Sequence, residues 1–281
     1  MVDSHGRFVW YELMTTDMEA AKAFYTRVVG WGTQDVSTSG TRYTLFTAEK
    51  TSVSALMELP EGARKMGAMP RWIGYVGVDD VDAAADRIKR LGGAVYVPPT
   101  DVPNISRFSV VADPQNAMLA LLKWLNSGSR QPAELGKPGH VGWHELLAAN
   151  GETAFAFYGE LFGWQKADAD TGSTGTYQLF SVGGQTIGSM FTKPPMAPVP
   201  FWLYYFNVGD IDAAAERVKA GGGRVLEGPV EVSSTNWIAR CTDPQGAMFA
   251  LEGKRGHSAI GYFERAKPRD PSDARGRQWS W

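Results

Sequence analysis

Two glutamates, Glu12 and Glu145, sit where a carboxylate could do chemistry. Each follows a tryptophan by two positions, in Trp10-Tyr11-Glu12-Leu13 and Trp143-His144-Glu145-Leu146, inside an apolar run that reads as a β-strand. Side chains two apart on a strand share a face, so Trp10 flanks Glu12 and Trp143 flanks Glu145. A carboxylate on an aromatic, water-poor face is driven toward its neutral form, and its pKa rises unless a partner holds the charge. That suits a general acid or base, or an anchor for a substrate amine. The same burial also suits a structural role, with loop N–H groups or an arginine such as Arg7, Arg71 or Arg240 as partner.

Other chemistries are thinly represented. His144 alternates to the face opposite Glu145, where packing against a helix is expected; His5, His140 and His257 lie outside the strands. The single cysteine, Cys241, excludes an intrachain disulfide framework and a Cys-rich zinc site, and its apolar strand context predicts an inert thiol. No Ser-His-Asp spacing occurs. Gly221-Gly222-Gly223 follows a helix, whereas phosphate cradles follow a strand and open a helix.

The elements that must position these residues form a repeat. Residues 10–31 and 143–164 share ten identities in 22 positions at an offset of 133, and residues 70–97 match 200–227 at 14 of 28 positions at an offset of 130. Asp113-Pro114-Gln115 returns as Asp243-Pro244-Gln245. Within the first half, a strand over 7–15 leads to a helix that Thr16 or Asp17 caps and Gly30 ends, followed by strands near 33–36, 43–47 and 52–58. After the loop 60–70 the pattern recurs. A strand over 71–78 is followed by a helix capped by Asp80 and ended by Gly92-Gly93, then strands at 94–97, 107–112 and 118–122. The chain therefore reads as four β-α-β-β-β units, two per domain. The first domain spans 1–125, a linker 126–138, the second domain 139–254 and a tail 255–281.

The composition is that of a globular protein, with 43% hydrophobic and 21% charged residues over 281 positions, enough for two cores. A net charge of −2 favours neither nucleic acid nor an anionic membrane surface. The longest apolar runs are too short to span a bilayer, and the first residues lack the apolar core of a signal peptide, so a cytoplasmic location is expected. The tail ends Gln278-Trp279-Ser280-Trp281. Two tryptophans on a polar tail are costly to leave in water, so they are expected to dock on this chain or on a second subunit. The four units can satisfy themselves in a monomer; a homodimer built by the tail is the competing expectation.

Four β-α-β-β-β units, the Asp-x-x-x-Ala-x-x-Phe-Tyr helix start, the Gly-Trp after that helix and the late Asp-Pro-Gln turn resemble the vicinal oxygen chelate superfamily over about residues 7–254. This superfamily includes glyoxalase I, extradiol dioxygenases and bleomycin-resistance proteins; the chain looks most like its tandem-domain bacterial branch, labelled hydroxylase or glyoxalase-like. The resemblance implies an α+β fold in which paired units curl into half-barrel sheets with helices outside, each enclosing a cleft that in many members holds a divalent metal. The family's ligands are a histidine or glutamine on the first strand of a unit and a glutamate on its last. Here those positions read Trp10, Ile73, Trp143, Leu203, Ala120 and Ala250, so no metal is expected. By alternation from these positions the clefts would be lined by Trp10, Glu12 and Tyr75 in the first domain and by Trp143, Glu145, Tyr205 and Glu252 in the second.

Two functions are therefore expected. The first is binding of a small, partly apolar ligand by Trp10, Trp143, Tyr75, Tyr205 and Glu252 without a cofactor. The second is an enzyme of lyase, isomerase or dioxygenase type, using either Glu145 and Glu252 as displaced ligands of one divalent metal in the second domain, or Glu12 and Glu145 as metal-free acid or base.

Overall fold

A computed structural model of the chain describes residues 4–37, 40–126, 135–167, 177–195, 199–233 and 235–256. The tail tryptophans, His257 and most of the linker lie outside the described residues. The first half runs β1 (Phe8–Thr15), α1 (Met18–Val29), β2 (Gly32–Asp35), β3 (Tyr43–Ala48), β4 (Thr51–Glu58), α2 (Glu61–Lys65), β5 (Arg71–Gly77), α3 (Val81–Arg90), β6 (Ala94–Val102), β7 (Ser106–Ala112) and β8 (Met118–Trp124). The second half runs β9 (Val141–Ala148), α4 (Gly151–Phe162), β10 (Gln165–Ala167), β11 (Gln178–Val182), β12 (Gln185–Thr192), β13 (Phe201–Val208), α5 (Ile211–Ala220), β14 (Arg224–Ser233), β15 (Asn236–Thr242) and β16 (Met248–Gly253). Only α2 has no counterpart in the sequence reading, which has a loop there.

The local signals act as their chemistry requires. Asp17, Asp80, Asn150 and Asp210 each accept a backbone N–H at the third residue of the helix they open, at 2.9–3.0 Å. Gly30 and Gly163 close α1 and α4 in the left-handed conformation.

Each half forms one eight-stranded mixed sheet, in the orders β2-β3-β4-β1-β5-β8-β7-β6 and β10-β11-β12-β9-β13-β16-β15-β14. The central pairs, β1 with β5 and β9 with β13, are antiparallel; β4 and β8 flank the first pair in parallel. A register shift between Phe8 and Trp10 puts Phe8 in the same core as Tyr11 and Leu13, although simple alternation places it with Trp10 and Glu12.

The helices lie outside each curled sheet, and their buried sides, with the sheet faces beneath them, join one core common to both domains. One apolar core holds Phe24, Tyr25, Trp31 and Trp72 together with Phe206 and Phe249 of the other half. The contacts are reciprocal. The Tyr25 hydroxyl donates to Asp243 at 3.0 Å, and that of Tyr158 donates to Asp113 at 3.0 Å. The indole N–H of Trp31 donates to the Gly139 carbonyl at 2.7 Å, and that of Trp164 to the Gly6 carbonyl at 2.6 Å. Gly139 is left-handed, and a Cβ there would stand 2.9 Å from Ala48 Cβ. The repeated Phe-Tyr, Gly-Trp and Asp-Pro-Gln residues thus hold the two domains together.

His144 belongs to the same seam. It faces away from Glu145 as expected, yet its neighbours are strand residues of both domains rather than a helix. It stacks on Phe8 at 4.1 Å, and Tyr11 Oη lies 2.6 Å from its Nε2. Its Nδ1 lies 2.7 Å from the Ile187 carbonyl, which assigns the proton to Nδ1 and leaves Nε2 to accept from the tyrosine. Burial drives its pKa down to about 4, so the ring is neutral.

Candidate functional site

The concave faces of the two sheets point away from the shared core. In the first domain Trp10, Ile73, Tyr75, Ala120 and Leu122 form a separate buried cluster, with Tyr43, Phe108, Val110 and Trp124 half-buried around it. In the second, Leu147, Leu203, Tyr205 and Ala250 do the same, with Trp143, Phe191 and Ile238 at the margin.

Glu12 projects from mid-β1, opposite Ile73. Both of its oxygens are engaged: Tyr43 donates to Oε2 at 2.6 Å and Tyr75 to Oε1 at 3.0 Å. Burial raises its pKa, and the two hydroxyls offset only part of that rise. Among the described residues no lysine or arginine is paired with it. Arg71, on the neighbouring strand, instead donates to the Met69 carbonyl at 3.1 Å and contacts Met118 Sδ at 3.0 Å. Tyr75, desolvated and beside Glu12, is held protonated.

Glu145 takes the equivalent place on β9, opposite Leu203. Tyr205 donates to its Oε2 at 2.7 Å and Tyr177 makes a short hydrogen bond to Oε1. A third partner has no analogue among the described residues of the first domain. The Arg240 guanidinium donates to Glu145 Oε2 at 2.8 Å, to Glu227 at 2.6 Å and to the Tyr205 oxygen at 3.3 Å. Glu145 is 2% exposed and the Arg240 side chain 14%, so this is a buried ion pair.

The structure brings Tyr205 to Glu145 but does not bring Glu252 there. Glu145 aligns with Leu203 of β13, and Glu252 aligns with Asn207 on the far side of the same strand. Four residues of strand, about 13 Å, separate the two levels. The displaced pair of ligands expected in one cleft is therefore not formed. Glu252 lies against Gly142, with Asn236 Nδ2 at 3.4 Å, and burial pushes its pKa up to about 7. Trp10 meets Trp124 edge-on at 6.1 Å, and the Trp143 indole donates to Ser189 at 3.2 Å. Among the described residues no three His, Cys, Asp or Glu side chains gather closely enough to hold a metal ion. No described helix is long and apolar enough to cross a membrane.

Alternation along β1 and β9 does not point to Tyr43 and Tyr177, which lie outside those strands. A signal existed: Tyr43-Thr44-Leu45-Phe46 and Tyr177-Gln178-Leu179-Phe180 share Tyr-x-Leu-Phe. Their offset of 134 falls outside the 133 register of the first-strand repeat. Arg240 was one of three candidate partners; only the folded sheet singles it out.

Residues 7–121 and 137–251 both match the model of the glyoxalase/bleomycin resistance protein/dioxygenase superfamily. The chain belongs to that superfamily. It is 35% identical over 245 residues to "Putative glyoxylase CFP32" of Mycobacterium tuberculosis, covering 86% of this chain and 92% of that one. It is 32% identical over 269 residues to the anthracycline biosynthesis protein DnrV of Streptomyces peucetius, covering 90% and 96%. Among solved structures, the Mn(II)-bound glyoxalase from Novosphingobium aromaticivorans superposes with a TM-score of 0.61 at 16% identity, over 89% of this chain and 82% of that one. A mutant of 4-hydroxymandelate synthase from Streptomyces coelicolor gives 0.61 at 14%, over 92% and 95%. At such identities the structural likeness bears on the fold alone, and it agrees with two tandem domains of β-α-β-β-β units.

Proposed function

We propose that this superfamily member binds small, partly apolar molecules on its two concave faces, without the divalent metal that the family resemblance implies. The observation that carries this is the state of the donors. The six positions where the family keeps its ligands hold Trp10, Ile73, Ala120, Trp143, Leu203 and Ala250, none of which offers an oxygen or imidazole donor. The nearby carboxylates do not restore a site. Glu145 already carries a guanidinium, whose charge would repel a dication in the same place, and Glu252 stands too far along the sheet to share one. What remains is an aromatic and aliphatic surface with a few directed polar groups, the usual makeup of a small-molecule site. The likeness to an anthracycline biosynthesis protein accords with a ligand that has extended apolar surface.

The test is elemental analysis of untagged protein, a calorimetric titration with Zn²⁺, Mn²⁺, Ni²⁺ and Fe²⁺, and a fluorescence screen of apolar compounds. Metal-free protein and ligand quenching that Trp10→Ala or Trp143→Ala abolishes are expected. A tight stoichiometric metal, or quenching unchanged in both variants, overturns the reading. One observation favours a second reading, metal-free acid–base catalysis: the raised pKa of Glu12 with no cation beside it. Loss of turnover in Glu12→Gln at an unchanged melting temperature supports it, and equal turnover dismisses it.

A further inference from the structure

The two clefts are copies that differ in their charged residues, and each shows what the other lacks. In the second domain Arg240 aligns with Ala250 across β15 and β16, and Ala250 with Tyr205. In the first domain Val110 aligns with Ala120, and Ala120 with Tyr75, so Val110 takes the place of Arg240. Glu227 aligns with Arg240 just as Val97 aligns with Val110, so the outer carboxylate is replaced as well. The Glu–Tyr–Tyr constellation itself is kept: Glu12, Tyr43 and Tyr75 against Glu145, Tyr177 and Tyr205. The second domain therefore displays how a cation docks on this constellation. The first domain keeps the acceptor, buried to 8% exposure, and replaces the cation with valine.

We propose that the cleft of the first domain binds organic amines, with the ligand's ammonium group on Glu12 in the seat that Arg240 fills beside Glu145. A buried carboxylate without a counter-charge is costly, and two tyrosine hydroxyls recover only part of its lost hydration. An ammonium ion supplies the missing charge and hydrogen-bond donors. The surroundings suit the remainder of such a ligand. Tyr75 and Phe108 pack with ring centroids 6.5 Å apart, Trp10 and Trp124 form the next wall, and Val110 and Leu122 are aliphatic. Aromatic faces also attract a cation directly. Arg71 does not satisfy Glu12, since its guanidinium is turned to Met69 and Met118. The second cleft, with its own arginine in the seat, has no such place for an amine.

This inference rests on the cleft-binding reading above, and the experiment separates the two. The full chain is titrated by calorimetry with 3-phenylpropylamine and with 3-phenylpropan-1-ol, which share the apolar part and differ in charge. The amine is expected to bind at least tenfold tighter. Glu12→Gln should weaken amine binding at least tenfold and leave the alcohol within about twofold. Val110→Arg, which installs the second domain's cation, should do the same at an undiminished melting temperature, and it decides the matter if Glu12→Gln fails to fold. Equal binding of amine and alcohol overturns the amine assignment and leaves the cleft-binding reading standing. An amine preference that neither variant alters also overturns it, since the amine then sits elsewhere. Absence of binding by both probes overturns the amine assignment and leaves the cleft-binding reading to the fluorescence screen.

Discussion

Glu252 offers a measurable consequence of burying a carboxylate without a counter-charge. It is 8% exposed, Asn236 donates to it at 3.4 Å, and its pKa is pushed up to about 7 from an ordinary 4.5. The folded state therefore holds the proton more tightly than the unfolded state. Stability from this group is fully present below pH 4.5 and is lost as the pH rises through about 7. At about 1.4 kcal/mol per pKa unit, the gap corresponds to roughly 3 kcal/mol lost at pH 8. Glu252→Gln removes the titration while keeping an oxygen to accept from Asn236. The variant should match the wild type to within about 1 kcal/mol at pH 4.5 and exceed it by roughly 3 kcal/mol at pH 8. Urea denaturation at the two pH values measures this, as a higher midpoint at unchanged slope. An equal difference at both pH values, or a loss of stability at pH 8, would refute the reasoning and mean that the native carboxylate is well compensated.

The buried pair in the second cleft behaves oppositely: Arg240→Leu strands Glu145 and should cost about 3–5 kcal/mol in denaturant unfolding at pH 7. A cost under about 1 kcal/mol would mean that the two tyrosines alone hold the charge. At the domain seam, Tyr25→Phe removes the donor to Asp243 and the acceptor of the Trp72 indole, for a loss of about 1–3 kcal/mol. Tyr158→Phe breaks the mirror contacts to Asp113 and Trp202 and should lose a similar amount. A large inequality between the two would show that the domains do not share the seam evenly.

Much of this protein was determined by the sequence alone, because the determining signals are local. Helix starts follow from a short acceptor side chain placed to take a free N–H, as at Asp17 and Asp80, and helix ends from a glycine that tolerates the left-handed conformation, as at Gly30. The concave placement of Trp10, Glu12, Tyr75, Trp143, Glu145 and Tyr205 follows from a period of two along single strands. What lay beyond reach depends on register between strands and on contact between domains. A bulge at Val9 moved Phe8 to the other face, and the order β9-β13-β16 set Glu252 apart from Glu145 although both share a cleft wall by alternation. The partner of Glu145 was one arginine among several candidates until β15 brought Arg240 within 2.8 Å. Likewise the residues that made the repeat conspicuous, Tyr25, Trp31 and Asp243 with their copies, are occupied at the domain seam rather than in a cleft. Periodicity along one strand says which way a side chain faces; only packing says what it meets there.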